Sequence, residues 1–303
     1  MAPHDLRVGD RLLPTSSRCL VMGIVNVTPD SFADGGRYLD HRAAVAHGLR
    51  LAAEGADLLD VGGESTRPGA SYVEEAVELE RVLPVVETLA AATEVPVSID
   101  TRKAAVARAA LAAGAAVVND VSAGRDDPEL LGVAAAAKAP LVLMHMQGTP
   151  ATMQDDPRYG DVLAEVEAFL RARCAAAEAA GVAPDALVVD PGIGFGKRDE
   201  HNYALLAGLA RLTRLGHPVL VGTSRKGFIG RALGLPTEQR LEGTAATVVW
   251  AVERGARIVR VHDVGPMVRT VRMTEALMAG GRPRRTGPAG GSPGRSAPEG
   301  VPW

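Results

Sequence analysis

The chain has 303 residues, of which 47% are hydrophobic and 23% charged, with a formal net charge of −3. That balance belongs to a folded protein rather than a disordered one, and it argues against nucleic acid as a main partner, which calls for a basic surface. No apolar run reaches the ~18 residues of a membrane span. Two cysteines, Cys19 and Cys174, are too few for a disulfide framework or a structural zinc site.

In chain order, residues 1–17 read as a loose arm without the apolar core of a signal peptide, so a cytoplasmic protein is expected. Short β-branched runs then alternate with amphipathic stretches. CLVMGIVN precedes a helical pattern over about 41–54, DLLDVG one over 73–92, and VPVSID one over 103–113. AAVVND, PLVLMH, ALVVD, PVLVG and ARIVRV follow, each with a helical pattern behind it. All eight runs are continuously apolar, as parallel strands buried on both faces are. Gly55, Gly114, Gly181 and Gly255 stand where helices close before the next strand. Eight βα units over residues 18–280 make an α/β protein with a single-domain TIM (β/α)8 barrel. A doubly wound open sheet is the alternative, because counting strands does not prove closure. From Gly281 to Trp303 Gly and Pro dominate and apolar spacing ends, which reads as a disordered Gly/Pro/Arg-rich tail.

Each apolar run ends in polar residues: Asn26; Asp60 and Glu64; Asp100; Asn119 and Asp120; His145; Asp190; Ser224 and Lys226; Arg260 and His262. One such residue could cap a helix. Eight in register point to the C-terminal mouth, where barrels of this kind place their chemistry. Loop 1 (NVTPDSFADGGRYLD) carries Asp30 and Asp34, and loop 2 (GGESTRPGA) carries Glu64 and Arg67, so both could bring charge over a ligand. Loop 6 (DPGIGFGK) is neither a P-loop nor a dinucleotide fingerprint: three residues separate Gly192 from Gly196, and Lys197 precedes Arg198. Its glycines suit a close backbone approach to a flat ligand.

Asp100, Asn119 and Asp190 can read a heterocycle edge that offers N–H donors. Lys226, Arg260 and His262 lie on the last two βα units, the side where such barrels hold phosphate, and a charged His262 would add a charge-assisted bond. The residues alone support a transferase or lyase acting on a phosphorylated heterocycle.

NVTPDSFADGG (26–36), GGESTRPGA (62–70), SIDT (98–101), ND (119–120), MHMQGTPATMQ (144–154), DPGIGFGK (190–197), GTSRK (222–226) and RVHDV (260–264) together resemble the ordered motifs of the dihydropteroate synthase family. The resemblance spans about 20–275. It implies a Mg2+-dependent, usually dimeric transferase of folate synthesis that joins p-aminobenzoate to a dihydropterin CH2 group and releases pyrophosphate. It places the pterin on Asp100, Asn119, Asp190, Phe195 and Lys226. It places the pyrophosphate on Asn26, Arg260 and His262, with Asn26 also the Mg2+ ligand. Phe32, Asp34, Thr66, Arg67, Pro68 and Ser224 would frame p-aminobenzoate, with Asp34 facing the cation that forms as pyrophosphate leaves. Sulfonamides are expected to compete as p-aminobenzoate mimics.

Three other readings stand beside this one: a catalytically silent pterin-binding paralogue, a methyltetrahydrofolate–corrinoid methyltransferase, and an aldolase using Lys226. Against the second stand GTSRK and RVHDV and the lack of a corrinoid-binding domain; against the third stands Arg225 beside Lys226. His47, His201 and His217 are expected at the surface, His145 at the mouth or packed behind it, and Met144, Met146 and Met153 as loop packing. Trp250 is expected in the buried outer layer, and Cys19 and Cys174 as inert thiols.

Overall fold

The chain opens with a hairpin, β1 (Leu6–Val8) antiparallel to β2 (Arg11–Leu13), in the computed structural model, which describes residues 4–28 and 37–280. The reading of a loose arm missed this hairpin, because strands of three residues give no usable periodicity. Leu6 and Val8 are buried against Leu20, Met22, Leu58, Val117, Val142, Val188, Leu220 and Ile258, the inward side chains at the base of the barrel. The hairpin therefore plugs the end opposite the mouth. Fully burying each such side chain stabilises the fold by about 2 kcal/mol.

Eight parallel strands form the closed barrel: β3 (Leu20–Asn26), β4 (Leu58–Gly62), β5 (Val97–Asp100), β6 (Val117–Asp120), β7 (Leu141–Met144), β8 (Leu187–Asp190), β9 (Val219–Val221) and β10 (Ala256–Val261). Each pairs with its sequence neighbours, and β10 pairs with β3. Closure excludes the open sheet. The strand period of two sends Leu58 and Asp60 inward while Leu59 and Val61 join the apolar layer beneath the helices.

Helices α1 (Arg37–Ala53), α2 (Glu75–Ala92), α3 (Ala104–Ala112), α4 (Glu129–Ala137) and α5 (Val162–Ala179) follow β3 to β7 in turn. After β8 the helical layer divides into α6 (Asp199–Ala207) and α7 (Leu209–Leu212), and after β9 into α8 (Gly227–Leu233) and α9 (Leu241–Glu253); α10 (Val264–Met278) closes the order. Gly55, Gly114, Gly181 and Gly255 all have positive φ, near 100°, at the ends of α1, α3, α5 and α9, which is the conformation that favours glycine as a helix stop. Asp161 caps α5 by accepting from the Leu163 and Ala164 N–H groups.

Trp250 departs from expectation: it is 45% exposed, its indole N–H donates to the Leu206 carbonyl, and Arg254 stacks on its outer face at 3.4 Å. His47, His201 and His217 are half-buried rather than superficial. Cys19 and Cys174 are buried and free, and burial raises both thiols, Cys174 to about 12. The tail at 281–303 lies outside the described residues. No helix among the described residues is long and apolar enough to cross a membrane.

Candidate active site

Strand register assembles the floor of the mouth. Asn26 stands opposite Gly62, Gly62 opposite Asp100, and Asp100 opposite Asn119, while Asp190 pairs in register with Met144. Four consecutive strands thus bring residues at their C-terminal ends to one line. Arg260 of β10 reaches across: its Nε donates to Asp60 Oδ2 at 2.6 Å, and an Nη donates to Asp100 Oδ2 at 2.7 Å. The Asn119 amide donates to the same Asp60 oxygen at 2.9 Å.

Asp60 is the floor residue whose role the sequence reading missed. It is fully buried, and its Oδ1 has no partner, so it is an acceptor that two floor residues already share. The available signal was an acid inside the otherwise apolar run DLLDVG. Burial raises the Asp100 carboxyl; Arg260 opposes that rise and Asp60 adds to it. Arg260, expected on the anion side, is thus also bonded to Asp100, which is expected to read the heterocycle.

Asp190 and Lys226 form the other wall. Burial raises the Asp190 carboxyl, opposed by Lys226 and by the Gly192 N–H, which donates to Oδ1 at 2.7 Å. Burial likewise pushes Lys226 down to about 8, with Asp190 holding it back. Lys226 Nζ donates to the Ile193 carbonyl and lies 4.6 Å from the centre of the Phe195 ring. Behind Phe195, Val121, Met144, Met146 and Met153 pack as one apolar group, the packing role expected of the methionines.

Loop 6 (residues 191–198) does not use its glycines as expected. A Cβ on Gly192 would stand 1.9 Å from the His145 carbonyl oxygen, and one on Gly196 would stand 2.6 Å from that of Gln147. Both residues have positive φ. These glycines admit the backbone at His145 and Gln147, just after β7, rather than a ligand. His145 sits behind the mouth: Lys197, only 2% exposed, donates to His145 Nδ1 at 2.9 Å and to the Phe195 carbonyl at 2.9 Å. Burial and the Lys197 charge hold the His145 imidazolium down to about 2, so the ring is neutral.

Asn26 and His262, expected to hold the anion, line a cavity of about 450 Å3 together with His47, Arg50 and Glu54 of the α1 side and Arg225 and Asp263. Ser224 is buried; its Oγ accepts from the His262 N–H at 3.1 Å and meets His262 Nδ1 at 2.9 Å. Burial, then the Arg260 and Arg225 charges, push His262 down to about 4. With no anion beside it the imidazole is therefore neutral at pH 7. Arg225 has φ 56° and is fixed by two bonds to Asp263, 2.9 and 2.5 Å. That clamp sets the turn carrying Ser224 and Lys226.

Two strand-end acids turn out to be structural. Asp120 accepts from the Ser122 and Gly124 N–H groups and shapes the turn after β6. Glu64, expected over a ligand, is instead ion-paired with Arg102 and Lys103. Thr66 is half-buried, and Arg67 and Pro68 are exposed on loop 2 above the floor. Asp30, Phe32 and Asp34 of loop 1 lie outside the described residues.

The sequence profile of the family described as pterin binding enzyme matches residues 22–262. A dihydropteroate synthase of Synechocystis is 47% identical over 276 residues, covering 91% of this chain and 96% of that protein. Among solved structures, the Xanthomonas albilineans dihydropteroate synthase with 4-aminobenzoic acid has a TM-score of 0.86 and 52% identity, covering 92% of this chain and 99% of the other. The same organism's enzyme in complex with 7,8-dihydropteroate has a TM-score of 0.83 and 49% identity, covering 91% and 99%.

Proposed function

The chain belongs to the pterin-binding dihydropteroate synthase family, and from that premise we propose how its mouth divides between two substrates. The reaction is a transferase step of folate synthesis: 7,8-dihydropterin-6-ylmethyl diphosphate and p-aminobenzoate give 7,8-dihydropteroate and pyrophosphate. The observation that carries the assignment is the buried floor in which Arg260 and Asn119 converge on Asp60, with Asp100 beside them and Asp190 and Lys226 opposite.

Asp190 accepts from the pterin amino and ring N–H groups, and Asp100 and Asn119 complete that edge. Lys226 offers its ammonium to the pterin's acceptors, against the face of Phe195. Asn26 and His262, which line the cavity, hold the diphosphate together with Arg260 of the floor. Asn26 also offers a hard amide oxygen to Mg2+, an ion that accepts one or two protein oxygens and completes its shell with water and substrate phosphates. When bound, Mg2+ neutralises charge on the leaving diphosphate.

The C–O bond to the diphosphate breaks first, and the positive charge left on the CH2 group spreads into the electron-rich dihydropterin. The arylamine lone pair then forms the C–N bond, and the nitrogen sheds a proton to water. No general base is needed, because that lone pair is free at neutral pH. Each well-aimed donor on the departing charge contributes on the order of 3 kcal/mol. Thr66, Arg67, Pro68 and Ser224 frame the p-aminobenzoate. Phe32 and Asp34 of loop 1 complete the frame, with Asp34 the anion that faces the cation. Sulfonamides compete at that subsite.

The protein acts as a homodimer in the cytoplasm. Tyr203, Leu233, Val249 and Trp250, exposed on α6, α8 and α9, support a face that a second copy covers. The two free, buried thiols suit a reducing compartment.

Pyrophosphate release by the purified protein, given the dihydropterin diphosphate and Mg2+ with and without p-aminobenzoate, tests the reading. Release that requires p-aminobenzoate, matched by dihydropteroate, is expected. No release from folded, pterin-binding protein would overturn it in favour of a silent paralogue.

A further inference from the structure

Beside the mouth, and unused by the reaction above, lies a cluster of buried ionic side chains at the base of loop 2 (residues 63–74). Glu64 accepts from Lys103 Nζ at 2.6 Å on one oxygen and from an Arg102 Nη at 2.7 Å on the other. The side chains of Glu64 and Lys103 are only 5% and 6% exposed. Lys103 also donates to the fully buried Glu78 of α2, and Arg102 donates to Asp126 in the turn after β6.

Glu64 itself fixes the start of the loop, and contacts around the cluster hold both ends. At its start, Arg81 of α2 donates to the Gly63 carbonyl at 2.8 Å. At its end, the Val73 N–H donates to Glu64 at 3.3 Å, and the Tyr72 ring centre lies 4.5 Å from Lys103 Nζ. The apex between them is held far more lightly, its link to the rest of the mouth being the Gly69 N–H donating to the Pro150 carbonyl at 3.0 Å.

Buried ion pairs are a poor way to stabilise a barrel, since packed apolar residues do as well or better. What they supply is direction. Two cations on adjacent residues, each bonded to a different oxygen of one carboxylate, fix that carboxylate's position and orientation together. We propose that Arg102 and Lys103 are positioning residues for the p-aminobenzoate half of the reaction: acting through Glu64, they fix both ends of loop 2 and so set where Thr66, Arg67 and Pro68 stand over the arylamine. The inference rests on the assignment of loop 2 to p-aminobenzoate made above. Burial alone lowers the Lys103 ammonium, but Glu64 and Glu78 outweigh it and hold it above the ordinary lysine value, so the clamp stays charged at neutral pH.

Steady-state kinetics of the full chain, varying each substrate in turn, test this with Lys103→Met, Lys103→Arg, Arg102→Lys and Tyr72→Ala. Hydrogen exchange of the loop 2 amides is read in the same preparations. Lys103→Met is expected to raise the KM for p-aminobenzoate about tenfold while the KM for the dihydropterin diphosphate stays within about twofold. Loop 2 amides should exchange faster with the barrel strands unchanged, and Lys103→Arg should recover part of the loss. Both KM values rising together, an unchanged p-aminobenzoate KM, or unchanged loop 2 exchange would overturn the proposal. If Lys103→Met does not fold, Arg102→Lys and the substitution of exposed Tyr72 are judged on the same readouts. Wild-type protein without p-aminobenzoate-dependent turnover would instead sink the reading of loop 2, and the exchange data alone would then decide whether the clamp holds it.

Discussion

Loop 6 is held along its whole length, whereas loop 2 is held chiefly at its ends, with one backbone bond, Gly69 N–H to the Pro150 carbonyl, at its apex. In loop 6 the Gly192 N–H bonds Asp190, the Gly194 N–H bonds Asn202 at 2.7 Å, and the Gly194 carbonyl accepts from Gln154 at 2.9 Å. The Gly196 carbonyl accepts from the Tyr159 hydroxyl at 2.7 Å, and Lys197 ties the loop to His145 from beneath. In loop 2, Arg67, Pro68 and Gly69 are exposed above a base locked by buried ions. The two loops look alike in composition, and the difference matches their proposed tasks. A loop that shapes a pterin pocket has to stand in place beforehand, while a loop that admits the second substrate has to leave room for entry.

The largest effect should come from Gly192→Ala. The added methyl meets the His145 carbonyl at 1.9 Å on a backbone with φ +65°, so a loss of about 3 kcal/mol or more is expected in chemical denaturation. A loss below about 1 kcal/mol would show that loop 6 yields, and would erase the contrast with loop 2. Next, Asp190→Asn presents a donor where the pterin edge requires an acceptor. Pterin affinity, read by calorimetry, should fall by about 100-fold; unchanged affinity would remove Asp190 from the pterin.

The pH profile gives a finer test of the same wall. Lys226 titrates near 8, so its ammonium is present below that value and is lost as pH rises through it. Pterin affinity should therefore hold at neutral pH and fall above about 8, by at most about tenfold per unit for a single proton. Lys226→Arg, which stays protonated, should flatten that fall; a profile unchanged by the substitution would assign it to another group. Smallest of all, Gly69→Ala places a methyl in open space at φ +78°. Only the backbone conformation is strained, so about 1 kcal/mol is expected by thermal unfolding, against the larger loss at Gly192. Equal losses at the two glycines would overturn the contrast between the loops.

Most of the floor was legible in the sequence because strand periodicity and chain order fix it. Asn26, Asp100, Asn119 and Asp190 each end an apolar run, and a parallel barrel brings such ends together whatever the loops do. Contacts between distant segments were not legible. Asp60 entered the site only because Arg260, 200 positions later in the chain, lands beside it. Glu64 left the ligand face because Lys103 and Arg102 claimed both its oxygens.

The sequence by itself determined the barrel, its mouth, and the residue types offered there, since burial on both strand faces and a polar residue at each end are written locally. Tertiary structure alone decided the use of those residues: which acids face the floor of the mouth and which brace a turn or a loop, and which glycines meet protein backbone. The physical reason is that a carboxylate's role depends on the cation that reaches it, and closing the barrel chooses that cation.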